Sequence, residues 1–172
     1  MSELGGSTKQ GPSLKARALR LLSLREYSRK TLGAKLEESL VRSAKFGRGL
    51  VEESASSKPR LEQIEAVLDD FEARGWLSDD RFAEALVRRR SERFGARKIQ
   101  DELQRAGVDS SKTVDLLKTL KETEYQRAYD LWLRKFGTLA EEQKERARQY
   151  RFLASKGFSS EIISRVVAGR PN

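Results

Sequence analysis

A short sequence pattern that ends one helix and begins the next recurs along this chain, at residues 103–109 and 153–159. Each copy holds a leucine, a glycine four residues later, a large apolar residue and a side chain able to cap a new helix. A looser copy lies upstream, where four apolar residues match four later ones at one constant spacing: Leu19, Tyr27, Leu32 and Leu36 against Leu86, Phe94, Ile99 and Leu103. Self-similarity of this kind indicates a repeat array whose units pack on their neighbours.

Apolar residues at helical spacing fill most of the chain between the glycine turns, and no proline lies between Arg60 and Arg170. Hydrophobic residues make up 37% of the chain and charged residues 35%, which suits thin helical modules with large exposed faces. We therefore expect an all-α fold, an elongated and curved tandem array of three three-helix modules. Such an array offers a long surface and rarely a deep catalytic cleft.

The turn residues set the expected module boundaries. We expect a disordered tail over residues 1–13 and a first module over 14–77, which contains a Gly/Ser-rich insertion at about 41–60. The second module is expected over 78–122 and the third over 123–170. Ser78 is expected to cap a helix that runs to Phe94, and Thr138 with Glu141 to form a capping box. The Trp76-Leu77 pair is expected to dock the first module on the second.

The residues that most enzymes need are missing. The chain has no histidine and no cysteine, so the commonest general base, the thiol nucleophile and the usual zinc ligands are all absent. The paired carboxylates Asp69-Asp70 and Asp79-Asp80 could in principle hold Mg²⁺, but the second pair suits the first turn of a helix better. We expect a non-catalytic protein without a metal or a cofactor.

No run of about 18 apolar residues is present, and the first residues lack the apolar stretch of a signal peptide, so we expect a cytoplasmic protein without a membrane span. The net charge of +9 is concentrated in 14–48 and 127–172, whereas 49–77 is acidic. Clustered positive charge favours a polyanionic partner. The candidate partner- or DNA-binding residues are Arg25, Arg29, Lys30, Lys35, Arg81, Arg88, Arg89, Arg90, Arg93, Arg97, Lys98, Arg148 and Arg151.

Helical spacing places Arg90, Arg93 and Arg97 on one face, opposite an apolar stripe that contains Leu86. Arginine forks on such a face suit phosphate and carboxylate equally. Trp132 lies on an aromatic stripe at helical spacing, for which we prefer core packing to base stacking.

Three stretches, LRLLSLREYSRKTLGAKL, GWLSDDRFAEALVRRRSERFGARKIQDELQRAGV and YRFLASKGFSSEIISRVV, resemble the RecX family of bacterial RecA modulators. The resemblance covers residues 14–167 and is most specific in the middle stretch. By matching position, two family segments fall on Asp80, Arg81, Phe82 and Ala83, and on Ser23, Arg25, Glu26, Tyr27 and Ser28. The resemblance implies tandem three-helix modules without enzymatic activity. It also implies binding to RecA filaments on single-stranded DNA, with lower ATPase, strand-exchange and coprotease output. The chain departs from the family pattern between Val41 and Pro59.

The leading hypothesis is therefore a monomeric, non-catalytic regulator that lies along a RecA filament on single-stranded DNA and contacts the DNA without sequence specificity. Two alternatives remain open. A free-standing helix-turn-helix protein would bind one duplex sequence preferentially, although no obvious dimer element supports it. An armadillo-like scaffold would bind protein alone, which the +9 charge disfavours.

The array predicts an extended molecule in solution. A compact globule of 172 residues has a radius of gyration of ~15.5 Å, and we expect solution scattering to give a larger value because each module contacts only its neighbours. A radius at or below the globular value would contradict the array.

Overall fold

The computed structural model describes residues 11–45 and 59–170, which form nine α-helices and one short 3₁₀ turn. The helices are α1 (Leu14–Leu22), α2 (Arg29–Lys45), α3 (Arg60–Ala73), α4 (Asp79–Arg90), α5 (Ala96–Arg105), α6 (Val114–Glu122), α7 (Glu124–Lys135), α8 (Gln143–Ser155) and α9 (Ser160–Val167), with the 3₁₀ turn at Ser110–Thr113 before α6. The fold is an all-α helical repeat, as the sequence predicts. The chain divides into two compact units, Met1–Ser78 and Asp79–Asn172.

The first unit packs α1, α2 and α3 around one hydrophobic cluster. Leu32, Leu36 and Phe71 are fully buried at its centre, because α2 and α3 present apolar residues at helical spacing. Leu77 is buried in the same cluster, and Trp76 packs edge-on against Phe71, with ring centroids 5.3 Å apart. Both side chains therefore contact their own unit, and the docking of the first module on the second stays a prediction.

The second unit contains two hydrophobic clusters, one centred on α4, α5 and α6 and the other on α7, α8 and α9. Ile99 and Leu103 are buried in the first of these clusters, and Leu153 and Ile163 in the second. Only Thr123 separates α6 from α7, so the two halves are joined without a linker. The boundaries of the three sequence modules stay a prediction.

The glycine turns that define the repeat are present in both copies. Gly107 and Gly157 have φ angles of 76° and 84°, the left-handed conformation that glycine adopts without a Cβ penalty. The residue after each glycine donates its N–H to the leucine carbonyl at the start of the pattern, over 3.1 Å at Leu103 and 3.5 Å at Leu153. Side chains of Asp109 and Ser159 then cap the following turns, as the pattern predicts.

In the looser upstream copy, the matched residues are buried alike in the second helix of each unit but not in the first helix. Leu32 and Ile99 are both fully buried. Leu19, however, is 45% exposed whereas its predicted counterpart Leu86 is 4% exposed. The fully buried residues are instead Ala18 and Ala83, since α1 and α4 do not keep the spacing of the helices that follow them.

Three other local predictions need correction. The helix expected from Ser78 to Phe94 ends at Arg90, where the chain turns before α5. The capping box of Thr138 with Glu141 is wrong: α8 begins later, at Gln143, and the Thr138 carbonyl accepts a hydrogen bond from the Gln149 side chain. The expected insertion at 41–60 overlaps the helix at its start, because α2 continues to Lys45.

Of the remaining predicted segments, 46–58 lies outside the described residues, as does most of the predicted tail, residues 1–10.

The two buried leucines of the repeat should be equally important for stability. Leu103→Ala and Leu153→Ala should each lower the free energy of unfolding by about 2–5 kcal/mol, because both side chains are at most 2% exposed and truncation leaves a cavity. Leu133→Ala, at a position 46% exposed, is the matched control and should cost less than ~1 kcal/mol. Urea unfolding measures all three, and equal losses in all variants would contradict the described cores.

Candidate functional site

The four candidate residues of the first unit differ in their surroundings. Arg25 lies over the ring of the buried Tyr27, with its guanidinium carbon 4.5 Å from the ring centroid. Lys30 is exposed, and Lys35 pairs with Glu38 over 2.8 Å. Arg29 is bonded to three carboxylates of α3, described next.

Arg29 belongs to an internal ion network rather than to an open basic face. Its two terminal nitrogens contact Glu65, Asp69 and Glu72, the last two over 2.7 and 2.5 Å. Burial lowers the pKa of Arg29, but the hydrogen bonds that its guanidinium donates to these three carboxylates outweigh burial and raise the pKa above its ordinary value. The network ties α2 to α3, so Arg29 is left out of the surface proposed below.

The arginines of the second unit do not share one helix face. Because α4 ends at Arg90, Arg93 lies in the following turn and Arg97 in α5, which overturns the single face expected from helical spacing. Arg90 is half-buried, and its Nε donates to Glu102 over 3.1 Å. The exposed positions are Arg81, Arg88, Arg89, Arg93, Arg97, Arg148 and Arg151.

Three cations surround the half-buried ring of Phe94. Lys98 lies 4.7 Å from the ring centroid, Arg90 5.3 Å and Lys156 5.7 Å. Lys156 also lies 5.4 Å from the ring of Phe152. We call Arg90, Phe94, Lys98 and Lys156 the junction cluster. Cation–π attraction holds Lys98 and Lys156 in place without neutralising them, whereas Arg90 is also paired with Glu102.

The junction cluster exists because the start of α5 lies against the turn between α8 and α9. The Gly95 N–H donates to the Lys156 carbonyl over 2.9 Å. A Cβ on Gly95 would lie 2.2 Å from the Gly157 carbonyl oxygen, so only glycine allows this approach. Glu124, which is buried, accepts the Ala96 N–H over 3.0 Å and caps α5 from another helix.

Arg127 fastens the same junction from α7. Its Nη1 donates to the carbonyls of Ser91 and Phe94 over 2.8 and 2.7 Å, and its Nη2 to the Leu120 carbonyl over 2.6 Å. Burial lowers the pKa of Arg127, and attraction to Glu124 opposes that shift. The charged side chains of Glu124 and Arg127, a kind that ordinarily faces solvent, therefore connect the two hydrophobic clusters of the second unit.

An open groove of about 950 Å³ runs beside the junction cluster, between α5 and the start of α9. Basic side chains from two helices line it: Arg97, Lys98 and Arg105 of α5, and Lys121 of α6. Three acidic residues, Asp101, Glu124 and Glu161, lie in the same groove. Its geometry suits the binding of an extended charged chain rather than the enclosure of a small molecule.

Sequence reasoning missed Lys156, which supplies one of the three charges of the junction cluster. The residue lies inside the recurring pattern at 153–159, but a turn residue gives no signal that its side chain will meet Phe94 from another helix pair. Trp132 is 3% exposed and donates its Nε1–H to Gln149 over 2.9 Å, which confirms core packing for this residue.

Among the described residues, no group of three or more Asp, Glu, His or Cys side chains is placed to hold a metal ion. The acidic pairs have local roles instead: Asp79 and Asp80 begin α4, Asp69 bonds Arg29, and Asp70 bonds Arg74. Over the same residues no helix is long and apolar enough to cross a membrane.

The fold and the junction define an all-α protein that is built from three-helix domains in tandem. Models of two such domains match this chain, described as the second and the third three-helix domain of RecX, over residues 78–112 and 122–167. The chain belongs to the RecX family of regulatory proteins.

Curated relatives match almost end to end. A regulatory protein RecX of Leptothrix cholodnii is 41% identical over 155 residues, which cover 90% of this chain and 87% of the relative. Another from Chromobacterium violaceum is 38% identical over 93% of this chain and 92% of the relative. A crystal structure of RecX from Lactobacillus salivarius has the same fold, with a TM-score of 0.63 at 19% identity over 91% of this chain and 93% of the other.

The helix cap that Glu124 provides should be measurable as stability. Glu124→Ala should lower the free energy of unfolding by about 1–3 kcal/mol, because the buried Ala96 N–H loses its acceptor. Glu124→Gln keeps an acceptor oxygen and should cost less. The exposed neighbour Glu122 is the control, and Glu122→Ala should cost under ~0.5 kcal/mol. Urea unfolding followed by tryptophan fluorescence gives these values, and equal losses at both positions would rule out the cap.

Proposed function

We propose that this chain binds RecA filaments on single-stranded DNA and lowers their ATPase, strand-exchange and coprotease activity. Membership of the RecX family supports this proposal, as does the sequence resemblance that extends over the three predicted modules. The chain acts as a non-catalytic monomer in the cytoplasm and needs no cofactor.

The observation that carries the proposal is the unneutralised charge of two residues of the junction cluster, Lys98 and Lys156. Neither Lys98 nor Lys156 has a carboxylate within ion-pair distance among the described residues, and both are held on Phe94. Two fixed cations suit a polymer that carries regularly spaced negative charge, and the neighbouring groove, lined by four basic and three acidic residues, also has a small excess of positive charge. The DNA phosphates and acidic side chains of a filament both provide such charge.

Binding through several modules also explains how weak contacts can suffice. Once one module is bound, the next meets the same filament at high effective concentration, so modest single affinities combine into tight binding. Phosphate contacts carry no sequence information, so the affinity should not depend on the DNA sequence.

A titration tests the proposal directly. The chain is added to pre-formed RecA filaments on single-stranded DNA, and ATP hydrolysis is followed against the ratio of chain to RecA. The expected result is a saturable decrease in ATP hydrolysis as the ratio of chain to RecA rises. Unchanged hydrolysis together with a 1000-fold preference for one duplex sequence would favour the helix-turn-helix alternative.

The junction cluster predicts which residues matter in that titration. Lys98→Ala with Lys156→Ala should raise the half-inhibiting concentration up to about tenfold, because each exposed ion contact contributes up to ~0.7 kcal/mol. Lys118→Ala with Lys144→Ala removes the same charge from exposed positions outside the cluster and should leave inhibition nearly unchanged.

Unaltered inhibition by the Lys98/Lys156 variant would remove the junction cluster from the proposed contact surface. An equal loss of inhibition in both double variants would show that inhibition depends on the net charge of the chain alone.

A further inference from the structure

A second basic groove lies in the first unit, between α1 and the outer part of α2. It encloses about 480 Å³. Four cationic side chains and one carboxylate line it: Arg17, Arg20, Lys35, Arg42 and Glu38. Only Lys35 among these cations was a candidate from the sequence, because the others are spread over two helices.

Arg17 is fixed in this groove by neutral oxygens alone. Its Nε donates to the Pro12 carbonyl over 2.9 Å, and its Nη1 donates to the carbonyl and hydroxyl of Ser39 and to the Ser43 hydroxyl. The side chain is half-buried, yet no carboxylate lies within ion-pair distance among the described residues. A guanidinium held in this way keeps its full positive charge and a defined orientation.

The single carboxylate of the groove is already neutralised. Glu38 bonds Lys35 over 2.8 Å and Arg42 over 2.9 Å. The hydrogen bond from Lys35 is the largest reason that the pKa of Glu38 lies below its ordinary value, so the group stays ionised near neutral pH. Arg20 is exposed and has no ion pair within the described part of the chain. The groove thus keeps a clear excess of positive charge.

We propose that this groove is a binding site for the phosphodiester backbone of single-stranded nucleic acid. The guanidinium fork of the exposed Arg20 can pair with the two free oxygens of a phosphodiester, whereas Arg17, whose Nε and Nη1 are already bonded, presents its remaining nitrogen Nη2 at a fixed position. A fixed donor loses little conformational entropy on binding, which separates a built site from scattered surface charge. The site concerns direct contact with nucleic acid and does not depend on any effect on RecA.

The test uses the full chain and a labelled oligonucleotide of about 20 thymidines, without RecA. Fluorescence anisotropy gives the dissociation constant at several salt concentrations. Arg20→Ala with Arg42→Ala should weaken binding and lower the slope of log affinity against log salt by ~1.4, since each lost phosphate contact removes about 0.7 on a single strand. Far-UV circular dichroism checks that the helices remain.

A matched double variant distinguishes the groove from general charge. Arg60→Ala with Arg170→Ala removes the same charge from exposed positions that do not line the groove, and should change the slope by less than half as much. The proposed site would be contradicted if the slope of log affinity against log salt were equal in the two double variants, or if the groove variant kept the wild-type slope.

Arg17→Lys tests the fixed guanidinium on its own. The substitution keeps the charge but cannot reproduce the hydrogen bonds that orient the side chain, so affinity should fall while the salt slope stays close to that of the wild type. Wild-type affinity in this variant would show that Arg17 has no positioning role. Because RecA is absent from the assay, failure here leaves the proposed regulation untouched, and failure of the titration with RecA leaves this site untouched.

Discussion

The second unit depends on a contact in which one helix start lies directly against the backbone of a turn between two other helices. The Gly95 N–H bonds the Lys156 carbonyl; a Cβ on Gly95 would meet the Gly157 carbonyl, and a Cβ on Gly157 would meet Lys98. This approach carries Lys156 to Phe94 and brings Glu124 to the free N–H groups of α5. A larger residue at either glycine would push the two hydrophobic clusters apart and would also break the contact of Lys156 with Phe94.

Charged residues in this protein serve two separate purposes. Arg29 and Arg127 are bonded on several sides by carboxylates or carbonyls and act as structural ties. Lys98 and Lys156 rest on an aromatic ring, which positions a charge without cancelling it. Both kinds look alike in the sequence, so a count of Lys and Arg overstates the charge that is available for binding.

The parts of the structure that local chemistry decides could be predicted from the sequence. The left-handed glycines at 107 and 157 and the buried leucines before them follow from turn chemistry and periodicity. The end of α4 at Arg90 and the late start of α8 could not, because tertiary partners such as the Gln149 side chain decide them. The same holds for the candidate site. Its exposed arginines could be predicted from the sequence, but the contact of Lys156 with Phe94 could not, because these residues are far apart in the chain.

The locked junction also bears on how the second unit would select a partner. Gly95, Glu124 and Arg127 all bond across it, so charges on its two sides are kept at a constant separation. A surface with constant charge spacing distinguishes between polymers by the distance between their successive charges. It gains most from a polymer whose own charges repeat in step with it, and little from one stretched or compressed to another rise per unit. The second unit would therefore respond to the pitch of a bound polymer as well as to its charge.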